Sequence, residues 1–128
     1  EFEKLSAIAG DTVEFKGKVT DEELLYYYRN CRALLFPGEE DFGITMVEVQ
    51  LAGKPVVAYR AGGALEIVKE GVTGVFFNKQ TVSSLSQVLI NFKDSRYNGS
   101  DCRKNGRYFS EKKFKSSFMS LLKSNKYI

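Results

Sequence analysis

FPGEEDFGITMVEVQLAGKPVVAYRAGGALEIV, residues 36–68, carries its strand, loop and helix signals in an order that decides the fold. Ala33-Leu34-Leu35-Phe36 is continuously apolar, the pattern of a strand buried on both faces, and Pro37-Gly38 stops it. A loop with two acidic groups, Glu40 and Asp41, turns through Phe42-Gly43 into a helix expected from about Gly43 to Ala52. Pro55 opens a second apolar strand, Val56 to Tyr59, and Gly62-Gly63 lead into a short helix, Ala64 to Lys69. Strand and helix alternating this way predict an α/β domain, a Rossmann-like parallel sheet with flanking helices.

The same stretch holds the chemistry. A helix start leaves backbone N–H groups unpaired and carries partial positive charge, which suits a phosphate. Gly43 has no side chain to keep a ligand from that backbone. Glu48, in the second turn, can lean toward the same cleft, and a carboxylate can accept from two neighbouring hydroxyls, as on a ribose or sugar ring. The second glycine-bearing helix start, at Gly62-Gly63-Ala64, belongs to the same cleft, because ligands of open α/β sheets bind beyond the carboxyl ends of the strands. An anionic centre with hydroxyl-rich flanks is what these parts fit. Read without their context, Glu40 and Glu48 would pass for solvent-facing carboxylates near a helix dipole, and Asp41 for a turn residue.

Outward from this centre the alternation continues. Val13 to Phe15 reads as a short strand, and Thr20 with Glu23 as a capping box opening a helix whose buried stripe is Leu24, Leu25 and Tyr28. Of Tyr26, Tyr27 and Tyr28, one is expected in the core and two at the surface. Val75 to Phe77 is a third apolar strand; Thr81 caps a helix from Val82 to Phe92, and Ser110 caps a last helix burying Phe114, Phe118, Leu121 and Leu122. The 128 residues make room for one domain, and the 43% hydrophobic content is ordinary for a globular one. No apolar run approaches the roughly 20 residues a bilayer-spanning helix needs. Histidine is absent, which excludes a Ser-His-Asp triad, a histidine base and a His-ligated zinc within this chain. Cys31 and Cys102 form no C-x-x-C pattern and read as reduced thiols. From Asp101 onward eight Lys or Arg face only Asp101 and Glu111, a solvated basic face or a surface drawn to an anionic membrane or acceptor. Nothing interleaves aromatic and basic residues as a nucleic-acid platform would, so no nucleic acid is expected as a partner.

The ordered series of motifs resembles a known family. Glu40 and Glu48 reproduce the E-x7-E spacing of family-4-type retaining glycosyltransferases (glycosyl transferases group 1) with the GT-B fold. The flanks match as well: P-G-E-E-D-F-G-I-T, A-G-K-P-V-V-A, G-G-A-L-E-I-V, G-V-T-G-V-F-F, and upstream V-E-F-K-G-K-V and D-E-E-L. The wording is most similar to mannosyltransferases of surface polysaccharides. The resemblance implies that Glu40 contacts the transferred sugar and steadies charge developing at its anomeric carbon, as the catalytic residue. It implies that Phe42, Gly43, Ile44 and Thr45 meet the sugar and diphosphate, that Glu48 binds the ribose hydroxyls, and that Val19 and Asp21 lie near the base. A fixed carboxylate beside a cationic transition state is a sound route to rate enhancement. No cofactor and no metal is implied, only a nucleotide-sugar donor, GDP-mannose or a UDP-hexose, and a saccharide or lipid-linked acceptor. The alternatives are a GT-B-fold epimerase or phosphorylase, or a non-catalytic α/β binding module with Asp41 as its reactive carboxylate.

Residues 1–128 are thus expected to be a partial donor-binding domain, the C-terminal half of a longer cytoplasmic enzyme, with peripheral contact to the inner face of the plasma membrane through the basic end. The family's Arg and Lys that neutralise the leaving diphosphate lie upstream of this stretch; Arg60 is not assigned that role. If the parent sheet runs 3-2-1-4-5-6, two strands missing from this stretch would lie between Val13 and Ala33. Their absence would leave a gap, or an exposed edge open to self-association, unless the chain rearranges or the parent order differs. The isolated chain is predicted to bind donor poorly and to transfer nothing; measurable sugar transfer by the purified chain would contradict this.

Overall fold

Helices and strands alternate along the chain as α1 (Phe2–Ile8), α2 (Asp21–Asn30), β1 (Leu34–Phe36), α3 (Ile44–Leu51), β2 (Val56–Tyr59), α4 (Ala64–Ile67), β3 (Gly74–Phe77), α5 (Val82–Asn91), a 3-10 turn at Asp94–Arg96, α6 (Gly99–Arg107) and α7 (Glu111–Ser124). The computed structural model describes residues 1–126. The three strands form one parallel sheet in the order β1-β2-β3, with Leu34 opposite Val56 and Val56 opposite Gly74. This is the Rossmann-like α/β arrangement expected from the alternation.

β2 is the strand the sequence describes best. Val56, Val57 and Ala58 have no exposed surface, as a continuous apolar run between two layers requires. Val56 and Ala58 join Met46, Val47 and Val49 of α3, Ala64 and Ile67 of α4, and Tyr28 of α2 in the core. A polar network ties α3 to α6 inside it. Asn105 Nδ2 donates to Gln50 Oε1 and to the Ile67 carbonyl, both at 2.7 Å, and both side chains are buried.

Four expectations are corrected. Val13 to Phe15 forms no strand: a strand exists only through a ladder partner, and this segment lies exposed, with Phe15 edge-on to Phe2 at 5.2 Å. β1 is not buried on both faces. It pairs with β2 alone among the described residues, so it is an edge strand, and Leu35 is 47% exposed while Leu34 and Phe36 pack on the core. The stripe of α7 is exposed at Phe114, Phe118 and Leu121, and Leu122 is half-buried. Helical periodicity specifies which face is apolar and says nothing about what covers it. Leu25, placed in the buried stripe of α2, is also 42% exposed. The caps fared better: Thr20 accepts from the Glu23 amide at 3.2 Å while Glu23 accepts from the Thr20 amide at 2.8 Å, and Thr81 and Ser110 cap α5 and α7.

The fold positions the acidic loop by backbone contact. Gly63 donates its amide to the Glu40 carbonyl at 2.7 Å. A Cβ at Gly63 would fall on the carbonyl oxygens of Phe42 and Asp41, the latter at 2.6 Å, so only glycine lets the β1–α3 and β2–α4 connections touch this way. Gly63→Ala is expected to push the acidic loop away from α4 and to destabilise the chain by about 1–3 kcal/mol, a range typical of overpacking. Asn105→Ala removes the donor that Gln50 Oε1 depends on in the core and should cost about 1–3 kcal/mol. Denaturant unfolding midpoints of the two variants check both values; an unchanged midpoint contradicts the corresponding contact.

Candidate functional site

The site is built where β1 ends. The loop after Phe36 exposes Glu39, Glu40 and Asp41, and Phe42 is half exposed with its ring edge-on to Phe109 at 6.1 Å. Gly43 then caps α3 with φ +81, in the left-handed region, and is itself buried. A side chain there would be strained and would strike the Met46 methyl and the Phe36 ring. Met46 donates back to the Gly43 carbonyl at 3.0 Å, which closes the first turn. The amides of Ile44 and Thr45 are among the first of the helix and have no carbonyl behind them in the helix to bond. The helix start therefore presents donors and partial positive charge beyond the carboxyl end of the sheet, where α/β folds place ligands.

Glu48 sits four residues past Ile44, about 6 Å further along the axis. It is half-buried, and Tyr28 Oη donates to its Oε2 at 3.0 Å. The two residues share the wall of a groove of about 370 Å³ between α2 and α3, with Asp21, Leu24, Arg29 and Leu51. The structure thus brings Asp21 and Glu48 onto one surface. Val19, half-buried, lies just before the Thr20 cap of α2 and off the groove wall, and Glu40 lies at the helix start, also off that wall. The Gly62-Gly63 turn does meet the Glu40 loop, so the two connections converge as the strand topology requires.

Arg60, which follows β2 on the same side of the sheet as the site, is already engaged. Its Nε donates to Asn78 Oδ1 at 2.8 Å, its Nη2 pairs with Glu70, and its guanidinium lies 4.6 Å from the centre of the Phe76 ring. The Glu70 carboxyl is held below its ordinary range by that hydrogen bond from Arg60.

Tyr28 is the residue that sequence reasoning undervalued. It was expected to be the core tyrosine, and it is 9% exposed while Tyr26 is 63% exposed. Its hydroxyl is the part that was missed. The signal available was the residue type, since a tyrosine at a buried position needs a partner for its O–H. Burial, reinforced by the bond to Glu48, pushes the phenol pKa up to about 12, so the hydroxyl stays a donor throughout the physiological range.

Comparison with known proteins agrees with this architecture. Residues 1–109 match the family model described as glycosyl transferases group 1. The chain is 31% identical over 101 residues to an uncharacterized glycosyltransferase of Methanocaldococcus jannaschii, covering 78% of this chain and 29% of that protein. It is 35% identical over 112 residues to the alpha-1,3/1,6-mannosyltransferase ALG2 of Dictyostelium discoideum, covering 82% of this chain and 26% of the relative. It therefore spans less than a third of the length of these relatives. Among solved structures, sucrose-phosphate synthase of Thermosynechococcus elongatus superposes with a TM-score of 0.75 at 25% identity, over 98% of this chain and 33% of that one. With the family match extending over most of its length, and with a parallel sheet and a glycine-capped helix start where that match lies, the chain belongs to the glycosyl transferases group 1 family.

Proposed function

We propose that this chain is the donor-binding part, the C-terminal half, of a family-4-type retaining glycosyltransferase that transfers a hexose from GDP-mannose or a UDP-sugar to a saccharide or lipid-linked acceptor in polysaccharide biosynthesis. The observation that carries this reading is the glycine-capped start of α3, with the exposed Glu40 loop before it and the groove-lining Glu48 one turn beyond it. The diphosphate takes the amides around Gly43, Ile44 and Thr45, where a helix start favours anions. Glu48 accepts from the ribose hydroxyls, and the base extends toward Val19 and Asp21. Glu40 faces the hexose, where its fixed charge counters the positive charge that develops as the anomeric bond to the diphosphate breaks. Supporting this are the family match and the relatives' own names, among them a mannosyltransferase and the D-inositol 3-phosphate glycosyltransferase of Streptomyces scabiei.

Two surface contacts belong to the proposal. The lysines of α7 beside its exposed Phe114, Phe118 and Leu121 suit peripheral contact with the anionic inner face of the plasma membrane, which goes with a cytoplasmic location. The outer edge of β1, with Leu35 exposed beside it, offers a pairing edge to another chain segment or a second copy.

Titration of GDP-mannose, UDP-glucose, GDP and UDP against the intact protein tests the donor assignment. One nucleotide pair is expected to bind, and Glu48→Ala to weaken it by about 1.5–3 kcal/mol, roughly ten- to a hundredfold. Glu40→Gln should leave nucleoside diphosphate affinity in place and lower kcat about a hundredfold, as loss of transition-state stabilisation does. Absence of binding by every nucleotide, with Glu48→Ala silent, would overturn the reading.

A further inference from the structure

We infer that Tyr28 is a positioning residue for nucleotide recognition, holding Glu48 in the rotamer that offers its second carboxylate oxygen to the ribose. The inference rests on the proposed role of Glu48 and adds to it the group that sets its geometry.

A glutamate on a helix face has rotatable bonds that solvent leaves free, and ordering them on binding opposes affinity. Here one oxygen is already fixed. Tyr28 belongs to the hydrophobic core with Met46, Val47 and Val56, so its ring cannot follow a moving carboxylate. Its Oη is therefore a stationary donor, 3.0 Å from Glu48 Oε2. A carboxylate has lone pairs on both oxygens, so Oε2 can be held by the phenol while Oε1 accepts from a ligand hydroxyl. The bond also crosses between elements. Tyr28 is in the last turns of α2 and Glu48 in the middle of α3, and the groove they share also carries Asp21 at the start of α2. The phenol thus fixes Glu48 relative to the helix that bears the groove's other carboxylate. The phenol remains protonated throughout the physiological range, so its hydroxyl keeps the proton it donates.

A merely structural tyrosine and a positioning one differ in one readout, the discrimination between a ribose and its deoxy analogue. Affinities of the preferred nucleoside diphosphate and its 2′-deoxy and 3′-deoxy forms are measured calorimetrically on the intact protein, wild type, Tyr28→Phe, Glu48→Ala and the double variant. Wild type is expected to favour the ribonucleotide. Tyr28→Phe should weaken it about fivefold and shrink its preference over the deoxy forms by a similar factor, in the range of the net worth of one hydrogen bond. In the Glu48→Ala background the same substitution should change affinity less than about twofold, because residues acting as one unit are non-additive. Unfolding midpoints establish that each variant is folded. If Phe unfolds the protein, Tyr28→4-aminophenylalanine keeps the ring with a weaker donor and should give an intermediate preference. An undiminished ribose preference in Tyr28→Phe or in the 4-aminophenylalanine protein, or full additivity with Glu48→Ala, overturns the inference while leaving Glu48 in place. A wild type indifferent to the deoxy forms, with Glu48→Ala silent, overturns the reading of the site itself.

Discussion

The amide of Gly63 and the carbonyl of Glu40, 2.7 Å apart, join two connections that the parallel sheet brings to the same end. Parallel strands all deliver their carboxyl ends to one side, so the β1–α3 and β2–α4 loops must share a small space. Backbone can meet backbone at hydrogen-bonding distance there only because Gly63 has no side chain. The acidic loop is fixed from behind by that contact and from ahead by the left-handed turn at Gly43 into α3. Its carboxylates stay exposed while its backbone is held, a sensible division for a loop that must present charge at a set position.

The same helix serves the core and the site on different faces. Met46, Val47, Val49 and Gln50 of α3 are buried, Gln50 in the hydrogen-bonded network with Asn105 and Ile67. Glu48 lies between them in sequence and turns to the groove between α2 and α3. A helix locked to the sheet on one side and to α6 on another carries its functional carboxylate on a rigid base, and the Tyr28 bond extends that rigidity to the carboxylate's own oxygen.

Much of this was legible in the sequence because local rules and tertiary context coincide in the middle of the chain. Val56 to Tyr59 read as an apolar strand and forms one; Thr20 and Glu23 read as a capping box and form both bonds. The Glu40 loop and the Gly62-Gly63 turn read as neighbours from strand topology alone, and they touch. What the sequence did not disclose depends on partners rather than pattern. Val13 to Phe15 has the composition of a strand but, among the described residues, no ladder, and Phe114, Phe118 and Leu121 have the spacing of a core stripe but stay exposed. The Tyr28 to Glu48 bond joins residues 20 apart, a pairing that neither helical periodicity specifies. Asn105, on a helix whose Arg103, Lys104 and Arg107 are exposed, is a buried donor whose partner Gln50 lies 55 residues away.

The central claim is that the start of α3 and its second turn grip the two ends of one ligand, the diphosphate and the ribose. A structure of the intact protein with its preferred nucleoside diphosphate bound tests this most directly. The account predicts phosphate oxygens within hydrogen-bonding distance of the amides at Gly43 to Thr45, and a ribose hydroxyl on Glu48 with the Tyr28 bond intact. A nucleotide bound away from this helix, or one that leaves the Glu48 carboxylate without a ribose contact, would contradict it.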